Sequence, residues 1–328
     1  LSSPLRLVCA AVLVWGLSGC ASRVPVPALP AGPAVELAST PFFPQDDYQC
    51  GPAALATVLV ADGVAVTPEQ LVPQVYVPGK RGSLQAEITA AVRRQERVPT
   101  MLAPRLDAVT QSLQAGKPVL VFLNLGLDAA PVWHYAVVIG FDPAQDSLLL
   151  RSGREARQAI GRKRFDAAWE RAGRWAVTVG DADTVPETAS PESWIAAVAP
   201  FETRGVFAVA ERGYRAGIER WPGAALPYTA LGNVHAARGD WLGAVDAFSD
   251  SLARAETPIV FNNRGYALAR LGCLEAARSD LRRGLALESP PEIRQLLVQT
   301  QADLGRLTAA VDCPSSALPA LLAPEPVQ

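Results

Sequence analysis

Cys50 and His134 are the residues of this 328-residue chain whose types and order could carry out nucleophilic chemistry. Cys50 lies in Tyr48-Gln49-Cys50-Gly51-Pro52-Ala53-Ala54-Leu55, where a polar approach gives way to an apolar, helix-forming run. A thiol there meets the positive end of a helix dipole, which favours thiolate. The chain has two histidines, and His134 opens a strand-like apolar run downstream. Cysteine attack on a carbonyl needs a nearby base that accepts the thiol proton and returns it to the leaving group. A small buried cysteine on a core helix is the alternative reading of Cys50. His235 falls mid-helix in the second half of the chain and reads as an interface or surface residue.

The elements that must hold this pair change period along the chain. Helices are expected over 51–61, after the start signal Thr67-Pro68-Glu69, over 83–95 and over 105–115, which stops at Gly116. Short β-branched or aromatic runs then follow at 118–125, 134–141, 147–150 and 175–179, separated by Gly, Pro and Asp. Helices first and antiparallel strands afterwards describe an α+β domain over residues 42–182.

Gln45 completes a resemblance. The run from Gln45 to Leu55, followed by His134-Tyr135-Ala136-Val137-Val138-Ile139-Gly140-Phe141-Asp142, resembles the bacteriocin-processing cysteine peptidase family. Those papain-fold enzymes cut after double-glycine leaders, usually as domains fused to export transporters. The resemblance implies a papain-like fold, Cys50 as nucleophile, His134 as general base and acid, and Gln45 as an oxyanion donor. The family places its Gln one residue further upstream, so Gln49 is the alternative donor. It also places an Asp roughly eighteen residues after the His to orient the ring. Here Leu150-Arg151-Ser152-Gly153 fills that stretch, with Ser152 nearest in register. Asn124 is the other candidate: a hairpin between 118–125 and 134–141 would set it opposite His134, at ~5 Å between Cβ atoms. Asp142 lies too far along the strand. The third member is left open between Ser152, Asn124 and a plain Cys-His dyad.

The first residues read as a leader. Arg6 and an apolar stretch over 7–17 end in Leu17-Ser18-Gly19-Cys20, which resembles a bacterial lipoprotein signal. On this reading residues 1–19 are removed and Cys20 is acylated. Residues 20–41, rich in Pro and Ala, then form a semi-extended tether. The expected location is the cell envelope, on the periplasmic face of the outer membrane. An oxidising compartment also bears on the remaining thiols. Of five cysteines, Cys9 leaves with the leader and Cys20 is acylated, so a Cys273–Cys313 disulfide would leave Cys50 free.

After a Pro-rich linker at 183–190, residues 191–328 show internal repetition. Ala210, Ala244 and Ala277 recur at about the 34-residue period of tetratricopeptide repeats, and Tyr214, Phe248 and Leu281 keep the same offsets. Trp194, Tyr228 and Phe261 stand upstream in each unit, and Gly232 and Gly265 follow the last two. Arg264 departs from the pattern, which expects Leu. This region is read as an all-α repeat domain with a C-terminal cap, binding a protein partner on its concave face.

A net charge of -2 offers no argument for nucleic acid. No cluster has metal-ligand spacing and no Gly-rich phosphate loop is present, so neither metal nor cofactor is expected. The acidic pair Asp46-Asp47 and the basic run 151–174 read mainly as solvated faces. The leading expectation is a membrane-anchored cysteine peptidase whose repeats recruit a peptide or protein substrate. The alternative is a non-catalytic adaptor acting through the repeats, and a transferase or amidase with the same Cys-His chemistry is the third.

Overall fold

The computed structural model describes residues 26–44, 49–305 and 313. Its first part sets five helices around a seven-stranded antiparallel sheet. The helices are α1 (Cys50–Ala61), α2 (Pro68–Val75), α3 (Gln85–Arg94), α4 (Leu106–Gln114) and α5 (Arg162–Glu170). The strands are β1 (Val35–Glu36), β4 (Val98–Met101), β5 (Val119–Asn124), β6 (Trp133–Asp142), β7 (Ser147–Ser152), β8 (Glu155–Gly161) and β9 (Ala176–Gly180). Their order is β4-β9-β5-β6-β7-β8, with β1 pairing to β6 at Phe141 and Gly140. A separate hairpin joins β2 (Tyr76–Val77) to β3 (Gly82–Ser83).

Both faces of the sheet are covered, which is why β5 and β6 read as nearly continuous apolar runs. Tyr135, Val137 and Ile139 pack with Leu55, Leu59, Leu71 and Ile88 of the first three helices. Ala136 and Val138, one step out of phase, pack with Val109, Leu113, Phe165 and Trp169 of α4 and α5. Alternate side chains of a strand point to opposite faces, so one run feeds two cores. Helix α1 is buried from Gly51 through Leu59. Its apolar residues are not confined to a stripe, as suits a helix enclosed on all sides.

One expectation fails here. Residues 26–41 are not a free tether. Leu29 is buried in the core beneath α4, and β1 pairs with β6. Arg162 Nη1 donates to the carbonyls of Val26 and Pro27, and Arg151 Nη2 donates to those of Ala38 and Thr40. The basic run 151–174 forms the expected hairpin and helix face, with Arg154, Arg157, Lys163 and Arg164 exposed, while Arg151 and Arg162 turn onto this strap. Besides clamping this strap, it forms ion pairs Arg157–Glu36, Arg162–Asp146 and Arg174–Asp166. Composition flags a Pro-rich stretch as extended, but carbonyls without local partners are also what arginine side chains can capture.

The second part is all-helical, so the chain is an α+β domain followed by an all-α region. Its helices are α6 (Pro191–Thr203), α7 (Phe207–Arg220), α8 (Ala225–Ala237), α9 (Trp241–Arg254), α10 (Pro258–Arg270), α11 (Leu274–Ala286) and α12 (Pro291–Gly305). Small residues stand where helices cross: a Cβ on Gly232 would lie 2.5 Å from the Phe248 ring. Helix α6 starts at Ser190, whose hydroxyl accepts from the Ser193 N–H in a capping box. Trp194, Ala197, Val198 and Phe201 form one cluster with Val98 of β4 and Ala182. The helical region is therefore seated on the edge of the sheet. Arg212 reinforces the junction through Asp181 and Asp183.

Arg264, where the repeat pattern expects Leu, is buried and bonded twice to Asp280, at 2.7 and 2.8 Å, and once to Ser249 at 3.0 Å. Cys273, at the start of α11, is disulfide-bonded to Cys313, and Cys50 is the free cysteine among the described residues. No helix among the described residues is long and apolar enough to cross a membrane.

Candidate active site

Local chemistry places Cys50 at the first residue of α1. Gln49 precedes it without a side-chain cap, and Pro52 in the first turn has no N–H to leave unsatisfied. Gly51 permits the close approach of β3, because a Cβ there would collide with the Ser83 side chain. The Tyr135 hydroxyl donates to the Ser83 carbonyl at 3.2 Å, tying the hairpin to the same strand.

The start of helix α1 meets the start of β6. Cys50 packs in one cluster with Tyr135 of β6, and the backbone N–H groups of Tyr135, Gly51 and Cys50 favour the charged form of its sulfur. Tyr135 is the residue after His134, so the strand that supplies one of these donors also supplies the imidazole. On its other side, His134 Nε2 lies 3.0 Å from Ser152 Oγ. Ser152 is buried at the end of β7, where a register shift in the β7–β8 pairing falls between Leu150 and Ser152. A bulge of this kind re-aims a side chain. Ser152 thus engages Nε2 and not Nδ1.

Burial decides the charge of the resting pair. It pushes the Cys50 thiol above its ordinary range, and the three N–H groups pull against that shift without overcoming it. It also holds the His134 pKa below the ordinary histidine value, because the imidazolium is the form that burial disfavours. At neutral pH Cys50 is therefore a thiol and His134 a neutral imidazole. This corrects the expectation of a resting thiolate: the helix dipole is present, but desolvation of a half-buried sulfur outweighs it.

Asn124 does not serve as the orienting group. The observed register sets Leu123 opposite His134 and Asn124 opposite Trp133. A shift of one residue sends a strand side chain to the other face. Asn124 Oδ1 instead accepts from the N–H groups of Gly126 and Val132, both at 3.0 Å. Gln45, Asp46, Asp47 and Cys20 lie outside the described residues. His235 is remote from this site and pairs its Nδ1 with Asp240 at 2.8 Å. No group of three or more His, Cys, Asp or Glu side chains among the described residues could hold a metal ion.

An aromatic series missed by motif reading borders the site. Trp133 stacks on Phe122 with ring centres 5.3 Å apart, Phe122 lies 4.6 Å from Tyr135, and Tyr135 meets Trp175 edge-on at 5.9 Å. The signal available in the sequence was period two across a strand pair, Trp133 and Tyr135 on one strand and Phe122 on the next.

Comparison with known proteins gives the same half of the chain a family setting. Residues 37–177 match the model of the Peptidase_C39 like family. A crystal structure of a Bacillus anthracis protein described as a C39-like peptidase aligns with 19% identity and a TM-score of 0.38, covering 45% of this chain and 98% of that one. Comparison with curated proteins finds no match. The family match ends before the helical region begins.

Proposed function

With residues 37–177 matching a peptidase family, we propose that this protein is a thiol peptidase in which Cys50 is the nucleophile and His134 the general base and acid. The observation that carries the reading is the meeting of α1 and β6. Cys50 packs in one cluster with Tyr135, the residue next to an imidazole whose Nε2 is held by Ser152. In the reaction His134 Nδ1 takes the thiol proton as the sulfur attacks the scissile carbonyl. The C–N bond then breaks as the same proton passes to the leaving amine, and water hydrolyses the thioester. Backbone N–H groups at the start of α1 supply oxyanion donors, with Gln45 or Gln49 as the side-chain donor. Losing one such donor typically costs about 3 kcal/mol of barrier.

Ser152 sets the strength of the base. A carboxylate at this position would only accept, which fixes the proton on Nε2 and frees Nδ1. A hydroxyl can donate or accept, so it holds the ring without fixing the tautomer. This favours a slow peptidase, and it also gives weight to a second reading, an adaptor that keeps the peptidase frame and acts through its helices. On either reading the helical region is of tetratricopeptide type and recruits a protein partner. Acylation at Cys20 would hold the chain on the periplasmic face of the outer membrane. The packing of residues 26–41 then leaves only a few residues between lipid and domain. Double-glycine leaders are not proposed as substrates.

Labelling Cys50 with iodoacetamide across pH separates the two readings. For a peptidase, His134→Ala slows labelling at neutral pH, because the imidazole no longer takes the thiol proton. Labelling indifferent to His134, together with no Cys50-dependent cleavage of a peptide mixture, leaves the adaptor reading.

A further inference from the structure

From the segment between β5 and β6 we infer a specificity subsite: Trp133, Leu125, Leu127 and Val132 select a bulky apolar residue immediately after the scissile bond. The inference rests on the peptidase reading above and adds the class of substrate. Each of these four side chains is at least half exposed. Asp128 is the one charged residue between Leu125 and Trp133. Four exposed apolar side chains in nine residues, running into the strand that carries the half-buried His134, form a patch of the kind that marks a binding surface.

The position of the patch follows from the chemistry. The group that returns a proton to the leaving amine must stand on the leaving-group side of the scissile bond. His134 is that group, and Trp133 precedes it on the same strand. The stacked series Trp133–Phe122–Tyr135 runs from solvent inward, and it ends at the residue that packs with Cys50. Trp133, Phe122 and Tyr135 share the face of the sheet against which Cys50 packs, so a peptide held by the sulfur lays the residue after the scissile bond on this wall.

The patch is also held in shape before any substrate arrives. Asn124 Oδ1 grips the N–H groups of Gly126 and Val132, and Arg171 Nη2 donates to the Asn124 carbonyl at 2.9 Å. Leu125 N–H donates to the Val132 carbonyl at 2.8 Å, while Leu127 and Ala130 exchange hydrogen bonds at 3.2 and 3.1 Å. Gly126 has no space for a side chain, since a Cβ would strike the Ala130 carbonyl. A buried amide spent on bracing an exposed apolar loop makes sense if the loop presents a surface, because preorganisation lowers the ordering cost of binding.

The test incubates the full chain with a proteome-derived peptide mixture and sequences the new amino termini by mass spectrometry. Leu, Ile, Met and Phe are expected first in the new termini, at about tenfold over their frequency in the mixture. Trp133→Ala should remove most of that enrichment, and Leu127→Ser, at a side chain 72% exposed, should remove part of it with little effect on folding. Unbiased termini, or a bias that survives both substitutions, overturn the subsite and leave the peptidase reading standing. If the new termini are absent, or form equally with Cys50→Ser, the peptidase reading falls and the subsite with it.

Discussion

Two buried polar clusters, one in each half of the molecule, are built to opposite ends. In the helical region Arg264 is bonded by Asp280 and Ser249, with both ions of the pair almost fully enclosed. In the α+β domain His134 has a single hydroxyl partner, Ser152, and Cys50 is kept neutral by burial. The first cluster has two anionic oxygens and a hydroxyl for one guanidinium. The second lacks a full charge on any partner. A buried ion needs such complete pairing merely to be tolerated, and a group that must change protonation during a reaction is better left free to do so. On the proposed peptidase reading, the contrast separates a site that holds shape from one equipped to move a proton.

The sharpest way to break the contrast is to delete the moving part. Cys50→Ser should lower peptide cleavage on the order of 10⁴-fold or more, while the urea midpoint stays close to that of the parent. A large loss of stability instead would make Cys50 a packing residue. Next in size is the fixed cluster. Arg264→Leu strands Asp280 and should cost about 3–5 kcal/mol, measured by urea unfolding. Arg264→Leu with Asp280→Leu should recover most of that loss, and neither variant should alter the pH profile of Cys50 alkylation.

Ser152→Asp tests whether the active cluster is limited by its missing charge. A carboxylate at 3 Å favours the imidazolium and should raise the His134 pKa by roughly one to three units. The acid limb of the alkylation profile then moves up in pH, and neutral-pH cleavage rises about tenfold, within the range of general-base effects. An unchanged profile would place the orienting group elsewhere. The smallest effect is linkage. Burial holds the folded His134 pKa below its ordinary value. The folded state therefore binds this proton less readily than the unfolded chain. The stability associated with the neutral ring is present above pH ~6.5 and is lost as pH falls through the lowered folded value, with a slope of at most about 1.4 kcal/mol per pH unit. Urea midpoints between pH 7 and 4 should show a shallower decline in His134→Gln.

Legibility in the sequence followed the range of the interactions. The order of elements, α+β and then all-α, was readable because helix signals such as Thr67-Pro68-Glu69 and the apolar runs of β5 and β6 are local. The strands β4 and β8 were not predicted. Glu155–Gly161 carries no apolar alternation, because it pairs along one edge and packs little. The hairpin β2–β3 was likewise hidden, and it matters because Ser83 lies against Gly51. The strap over 26–41 was misread because its partners, Arg151 and Arg162, lie more than a hundred positions away.

Within the site, the sequence by itself determined that a cysteine opens an apolar helix and that a histidine opens a strand. Both facts depend on residue type and immediate neighbours. Only the tertiary structure decided which side chain stands behind His134. Asn124 and Ser152 were both compatible with the spacing, and a one-residue register difference sent Asn124 to brace the loop while a bulge turned Ser152 onto Nε2. The tertiary structure also decided the charge of Cys50. A helix dipole is written in sequence, but desolvation depends on what packs over the sulfur. Here that packing outweighs the dipole and leaves a neutral thiol.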